Sequence, residues 1–159
     1  MKQLTFFSMP KHIGKLFIPT KGRRKSRRPL STRHPIHLVM HADSSELRKR
    51  EREFQRHWHR FARQFGVNTY RLVMNSNHVH AVIRLHELKS YSRFIQALTG
   101  TLARKFALRW RERPVTRLVN WGKDFKRLCQ YVKLNFLEAN SFLAYQPQRT
   151  RRLPDWVKL

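Results

Sequence analysis

Asn77-His78-Val79-His80-Ala81-Val82-Ile83-Arg84-Leu85 places two histidines around one apolar residue at the head of a strand-like run. Side chains on a strand alternate faces with period 2. His78 and His80 therefore point the same way, with Cα atoms roughly 6–7 Å apart, while Val79 points into the core. That geometry lets both imidazoles reach one metal ion. In a chain this basic, the group such an ion would hold is a phosphate.

A second His-x-His, His57-Trp58-His59, lies in a stretch with helical periodicity. On a helix, residues two apart are separated by about 200° and cannot share an ion. These two read as surface histidines. The stretch itself runs from the Asp43-Ser44-Ser45 helix-capping signal through Leu47, Phe54, Trp58, Phe61 and Phe65 at helical spacing, and Gly66 ends it. Before it, Ile36 to His41 reads as a first strand. After it come a strand from Asn68 to Met74, the Asn75-Ser76-Asn77 turn and the histidine strand itself. A helix from Tyr91 to about Trp110, a short strand from Val115 to Val119 and a helix from Lys123 to Asn140 complete the order β-α-β-β-α-β-α. The fold class is α+β, a ferredoxin-like antiparallel sheet with helices on one face.

Three parts are expected. Residues 1–33 form a basic flexible tail, in which Lys21-Gly22-Arg23-Arg24-Lys25-Ser26-Arg27-Arg28 repels itself and cannot pack. Residues 34–142 form the folded body, and residues 143–159 a basic extension. The 159 residues suffice for one domain with a real core.

Lys and Arg number 35 against 9 Asp and Glu, a formal net charge of +26. Such a charge concerns partners rather than fold, and the expected partner is nucleic acid. No run is long and apolar enough to span a bilayer. The first twenty residues lack the apolar core of a secretion signal. The single cysteine, Cys129, excludes an internal disulfide and a cysteine zinc cage. A cytoplasmic location is expected. The acidic residues are too scattered for the converging carboxylates of a two-metal nuclease, since Glu46, Glu51 and Glu53 belong to a charged helix.

Another chemistry is available on the last helix. Tyr131 and Asn135 stand at i and i+4, one turn apart on one face. A tyrosine hydroxyl can attack phosphorus to form a phosphotyrosine. An amide oxygen one turn away can serve the ion that the histidines hold. Tyr70, Tyr91 and Tyr145 have no such partner one turn on. His37 and His41 share a strand face that could bring them near the ion, and a structural role is the preferred reading for them.

Taken together, these residues resemble the single-tyrosine HUH transposases, in which U is a bulky apolar residue. The resemblance is to the REP-associated tyrosine transposases and the IS200-like transposases. It covers most of the body and rests on ordered blocks: Arg28-Pro29-Leu30-Ser31-Thr32, Pro35 to Val39, Asn77 to His80, Gly100-Thr101, Trp121 to Phe125, and Tyr131-Val132 with Asn135, Glu138 and Ala139. It implies a divalent cation, Mg²⁺ or Mn²⁺, on His78, His80 and Asn135, and attack by Tyr131 on single-stranded DNA beside a hairpin. The products are a 5′-phosphotyrosine and a free 3′-hydroxyl. Lys21, Arg23, Arg24, Lys25, Arg27 and Arg28 in the tail, with Arg104 and Lys105 on the second helix, are the expected DNA contacts of a monomer or homodimer. The link from Phe106 to Arg117 is shorter than in many relatives, and Asn135-Phe136 replaces a common Asn-Pro or Asn-Glu pair. The alternative is a non-catalytic nucleic-acid-binding protein descended from a transposase. A basic RNA-associated protein with structural histidines is disfavoured by the absence of RNA-module aromatic signatures.

Overall fold

The computed structural model describes residues 28–43 and 45–142, with the side chains of Ser45 and Glu46 undescribed. Most of the expected tail and all of the C-terminal extension lie outside these residues. Strand β1 spans Ile36–His41, and a 3-10 turn spans Ser45–Arg50. Helix α1 spans Glu51–Gln64, β2 Val67–Met74, β3 His78–Leu85, α2 Leu88–Phe106, β4 Val115–Leu118 and α3 Lys123–Ala139. The four strands form one antiparallel sheet in the order β2-β3-β1-β4. The expected class and element order are observed.

The period-2 rule divides β3 between two layers. Val79, Ala81, Ile83 and Leu85 pack into the main core with Ile36, Leu38 and Met40 of β1. Over them lie Phe54, Trp58 and Phe61 of α1 and Phe94, Leu98 and Leu102 of α2. On the opposite face, Val82 joins Val73, Val119, Leu128 and Val132 in a smaller cluster. The expectation of helices on one face thus holds for α1 and α2 and is corrected for α3, which covers the histidine face. The physical reason is visible in β3 itself. Val82 alternates with the core residues, and an apolar side chain on the histidine face needs a cover of its own.

Several boundaries differ from expectation. Helix α1 begins at Glu51 after Arg50, which makes no side-chain cap, because the Asp43–Ser45 signal leads into the 3-10 turn instead. Glu51 and Glu53 in its first turn offset the helix dipole. Gly66, with φ +63°, takes the left-handed position that closes the helix. In β2 the register shifts between Thr69 and Arg71. Tyr70, the residue left without a partner at this shift, packs on the α3 side against Trp121 and Phe125, and the shift returns Leu72 to the main core. Helix α2 stops at Phe106, short of Trp110, because Ala107 adopts φ +49°. The chain then follows the end of β1. The Asp43 amide donates to the Arg109 carbonyl at 2.9 Å and the Arg111 amide to the His41 carbonyl at 3.0 Å.

Phe94 is fully buried, with its ring edge-on to Trp58 at 5.0 Å. Phe94→Ala is expected to destabilise the fold by about 3–5 kcal/mol. Denaturant unfolding followed by circular dichroism checks this, and a loss below about 1 kcal/mol would show that this layer is not the core.

Candidate active site on the α3 face of the sheet

Antiparallel pairing of β1 with β3 sets His41 opposite His78 and Val39 opposite His80. Since His37, Val39 and His41 share one face of β1, four histidines gather on one side of the sheet. His41 stacks on His78 and His37 on His80, each pair with ring centroids 5.4 Å apart. His78 and His80 themselves meet edge to face at 4.8 Å. The Nε2 of His37 lies 3.2 Å from the Nδ1 of His80. The structure therefore brings together the two histidines expected as ligands and also draws in His37 and His41.

Helix α3 lays Tyr131 over this group. Its ring centroid is 5.8 Å from that of His80 and 6.2 Å from that of His37. Asn135 follows one turn later and is buried. Its Nδ2 donates to the Tyr131 carbonyl at 3.0 Å, which orients the carboxamide. The other tyrosines are elsewhere: Tyr70 packs on Trp121 and Phe125, Tyr91 is buried in the main core, and Tyr145 lies outside the described residues. His57 and His59 sit on α1, on the far side of the sheet; His59 is exposed as expected, whereas His57 is half-buried and stacks on Phe61.

The loop before β3 fixes the His78 ring. Its Nδ1 lies 2.8 Å from the Asn77 Oδ1, so this nitrogen donates; its Nε2 lies 2.7 Å from the Asn75 Nδ2, so that nitrogen accepts. Burial lowers the His78 pKa to about 4, with the nearby His41 adding to the effect. Burial likewise lowers that of His37 to about 3, helped by the Arg117 guanidinium. Both imidazoles are neutral at pH 7, and each keeps a nitrogen lone pair.

These downward shifts link pH to stability. As pH falls below 6.5, the ordinary value for a histidine, the unfolded chain takes up protons that the folded chain refuses. Stability is therefore fully present above that pH and is lost as pH falls towards the folded values. A melting series is expected to show the midpoint dropping between pH 7 and pH 4. A level midpoint would contradict burial of neutral His37 and His78.

Arg117 joins the site without a local sequence signal beyond its charge inside a strand that should be covered. It sits on β4 directly opposite His37, and so on the histidine face. Burial pushes its pKa down and Asp124 opposes this. Of the expected DNA contacts, Arg104 and Lys105 are exposed in the last turn of α2 and Arg28 is described. Lys21, Arg23, Arg24, Lys25 and Arg27 lie outside the described residues. A further basic face, absent from the sequence-based expectations, is formed by Arg52, Arg56, Arg60 and Arg63, which line one side of α1 with His59. Their spacing of three to four residues is the signal that marks it. Among the described residues no group of three or more His, Cys, Asp or Glu side chains forms a metal cluster. The two-histidine-plus-asparagine set is of different composition. No described helix is long and apolar enough to cross a membrane.

Comparison with known proteins places this fold among transposases of the HUH type. The family model for IS200-like transposases matches residues 31–128, and the chain belongs to that family. Among solved structures, a REP-associated tyrosine transposase bound to a REP hairpin superposes with a TM-score of 0.63 at 15% identity, covering 71% of this chain and 72% of that one. A Deinococcus radiodurans R1 protein assigned to the transposases aligns with a TM-score of 0.46 at 16% identity, covering 74% of this chain and 97% of that one. No curated protein shows significant sequence similarity to the chain.

Proposed function

We propose that the protein cleaves and rejoins single-stranded DNA beside a hairpin through a 5′-phosphotyrosine, with residues 34–142 as the catalytic domain. The observation that carries this reading is the seating of Tyr131 against His80, with Asn135 one turn further along α3. The Tyr131 oxygen bonds to phosphorus while the bond from phosphorus to the 3′-oxygen breaks. The phenolic proton leaves the nucleophile, and the released 3′-oxygen ends as a hydroxyl. The phosphodiester is retained in the tyrosine link, so rejoining by the reverse step needs no nucleotide triphosphate.

The donor set suits a divalent ion. His78 is neutral, and its Nε2 lone pair now accepts a hydrogen bond from Asn75, which must turn aside for that lone pair to bind metal. His80 supplies a second imidazole whose Nδ1 is held by His37, the arrangement that orients metal-binding histidines. The Asn135 oxygen supplies a hard third ligand. Mg²⁺ or Mn²⁺ held there would supply Lewis-acid polarisation of the scissile phosphate. Arg117 adds positive charge to the same face. The solved relative was bound to a REP hairpin, which supports hairpin DNA as the substrate class here. The test is incubation with labelled hairpin DNA and Mn²⁺, followed by denaturing electrophoresis. A covalent protein–DNA band is expected, and its absence on every stem-loop tried would favour the non-catalytic reading.

The basic tail acts through affinity. Deleting residues 1–27 removes Lys21, Arg23, Arg24, Lys25 and Arg27. For every phosphate that these cations neutralise, the deletion flattens the plot of log affinity against log salt by about 0.7 on single strands and about 0.9 on duplex. Single-turnover cleavage at saturating DNA is expected to persist. An unchanged salt slope would show that the tail does not touch DNA.

A further inference from the structure

Beside the edge strand β4, on the α2 side of the sheet, the 110–114 segment and one flank of α2 enclose an open groove of about 680 Å³. Six of its lining residues carry a coherent chemistry: Arg28, Tyr91, Gln96, Trp110, Glu112 and Arg113. The Trp110 ring is fixed in the wall, since its Nε1 donates to the Thr99 carbonyl at 3.2 Å. Tyr91 is only 3% exposed, and its hydroxyl is buried with no acceptor for its proton among the described residues. The Arg28 guanidinium beside it can only donate. A buried hydroxyl in that state is a cost to the free protein that an acceptor on a ligand would relieve. Gln96 and Glu112 offer exposed polar groups, and Arg28 and Arg113 offer positive charge.

One end of the groove adjoins the histidine face. Trp110 bridges to Ala42. The next residue, Arg111, donates its amide to the His41 carbonyl at 3.0 Å. His41 in turn stacks on His78. The backbone that carries Trp110 thus runs along the end of β1 that carries His41. The groove volume suits a ligand of nucleotide size, and an aromatic wall with cationic ends is the composition of a single-strand platform.

We propose that this groove binds an unpaired nucleotide of the DNA strand whose phosphate is cut, with the base against Trp110 and its exocyclic amine donating to Glu112. The Tyr91 hydroxyl and the Gln96 amide meet the remaining polar edge of the base or sugar, and Arg28 and Arg113 meet the flanking phosphates. The carboxylate gives the groove a preference. Cytosine presents an amine that Glu112 can accept, whereas thymine presents only acceptors where that amine would be. This inference rests on the single-strand reading above.

The probes are oligo-dC, oligo-dT and an abasic oligomer of equal length, bound by the full chain at one salt concentration and read by fluorescence anisotropy. Wild-type protein is expected to bind dC above dT by roughly 5-fold or more, and dT above the abasic strand by a comparable factor. Glu112→Gln should erase the dC–dT gap, and Trp110→Leu should shrink the dT–abasic gap. If Trp110→Leu fails to fold, Glu112→Gln alone still decides, because Glu112 is exposed. Gaps that survive in both variants overturn the proposal. So does a result in which only removal of residues 1–27 changes the gaps, since the groove would then hold the chain's own N-terminal segment. Tyr131→Phe should leave all the gaps intact, so failure of the cleavage reading appears in the covalent adduct and failure of the groove in the base preference.

Discussion

Tyr131→Phe is expected to abolish the covalent protein–DNA adduct, by at least ~10³-fold, while hairpin binding stays within about twofold. The substitution removes one oxygen. The ring remains to pack edge-on against His80 and His37, so the folded state should survive the substitution. Adduct formation on denaturing gels, paired with anisotropy binding, separates chemistry from affinity. An undiminished adduct would move the nucleophile to another residue. Tyr70, walled by Trp121 and Phe125 on the same side of the sheet, would be the first to try.

The second large effect concerns the proposed metal ligands. His78→Ala is expected to reduce cleavage by at least ~10²-fold and to weaken Mn²⁺ binding measured by calorimetry, with DNA affinity largely kept. Imidazole favours Mn²⁺ over Mg²⁺, so activity with Mn²⁺ should be at least as high. His80→Ala should match it in cleavage and also lower stability, because the buried His37 Nε2 loses its partner. Asn135→Ala belongs to the same series, and Asn135→Asp should restore much of the loss through its oxygen. Full cleavage in the presence of a chelator would remove the metal from the mechanism.

The parts of this site that are legible in the linear sequence are those set by a single element. The period of a strand puts His78 and His80 on one face, and the pitch of a helix puts Tyr131 and Asn135 on another. Residues joined only by pairing between elements are harder to reach. His37 and His41 touch the site because the β1–β3 register puts His41 against His78, and nothing in the sequence near either residue announces that register. Arg117 depends in the same way on β4 lying beside β1. The side taken by α3 departs from expectation because helix periodicity shows which residues are buried, not which face of the sheet receives them. Trp110 reads as helical because its apolar spacing continues past Ala107, where a left-handed backbone turns the chain without any glycine to signal it.

The layer that holds α3 is thin. The helix rests on Val73, Val82 and Val119 through Leu128 and Val132, with Tyr70, Phe125 and Tyr131 at its margin, whereas α1 and α2 share the large core. Apolar area buried sets how much free energy holds each unit closed. The helix that carries the proposed nucleophile should accordingly be the first to open. In hydrogen-exchange experiments the amides of α3 are expected to exchange well before those of β1 and β3, in openings that do not unfold the rest of the chain. Each such opening would part Tyr131 from the histidines, so the lifetime of the assembled site would be shorter than the lifetime of the fold. DNA that touches both α3 and the sheet would lengthen it and slow that exchange.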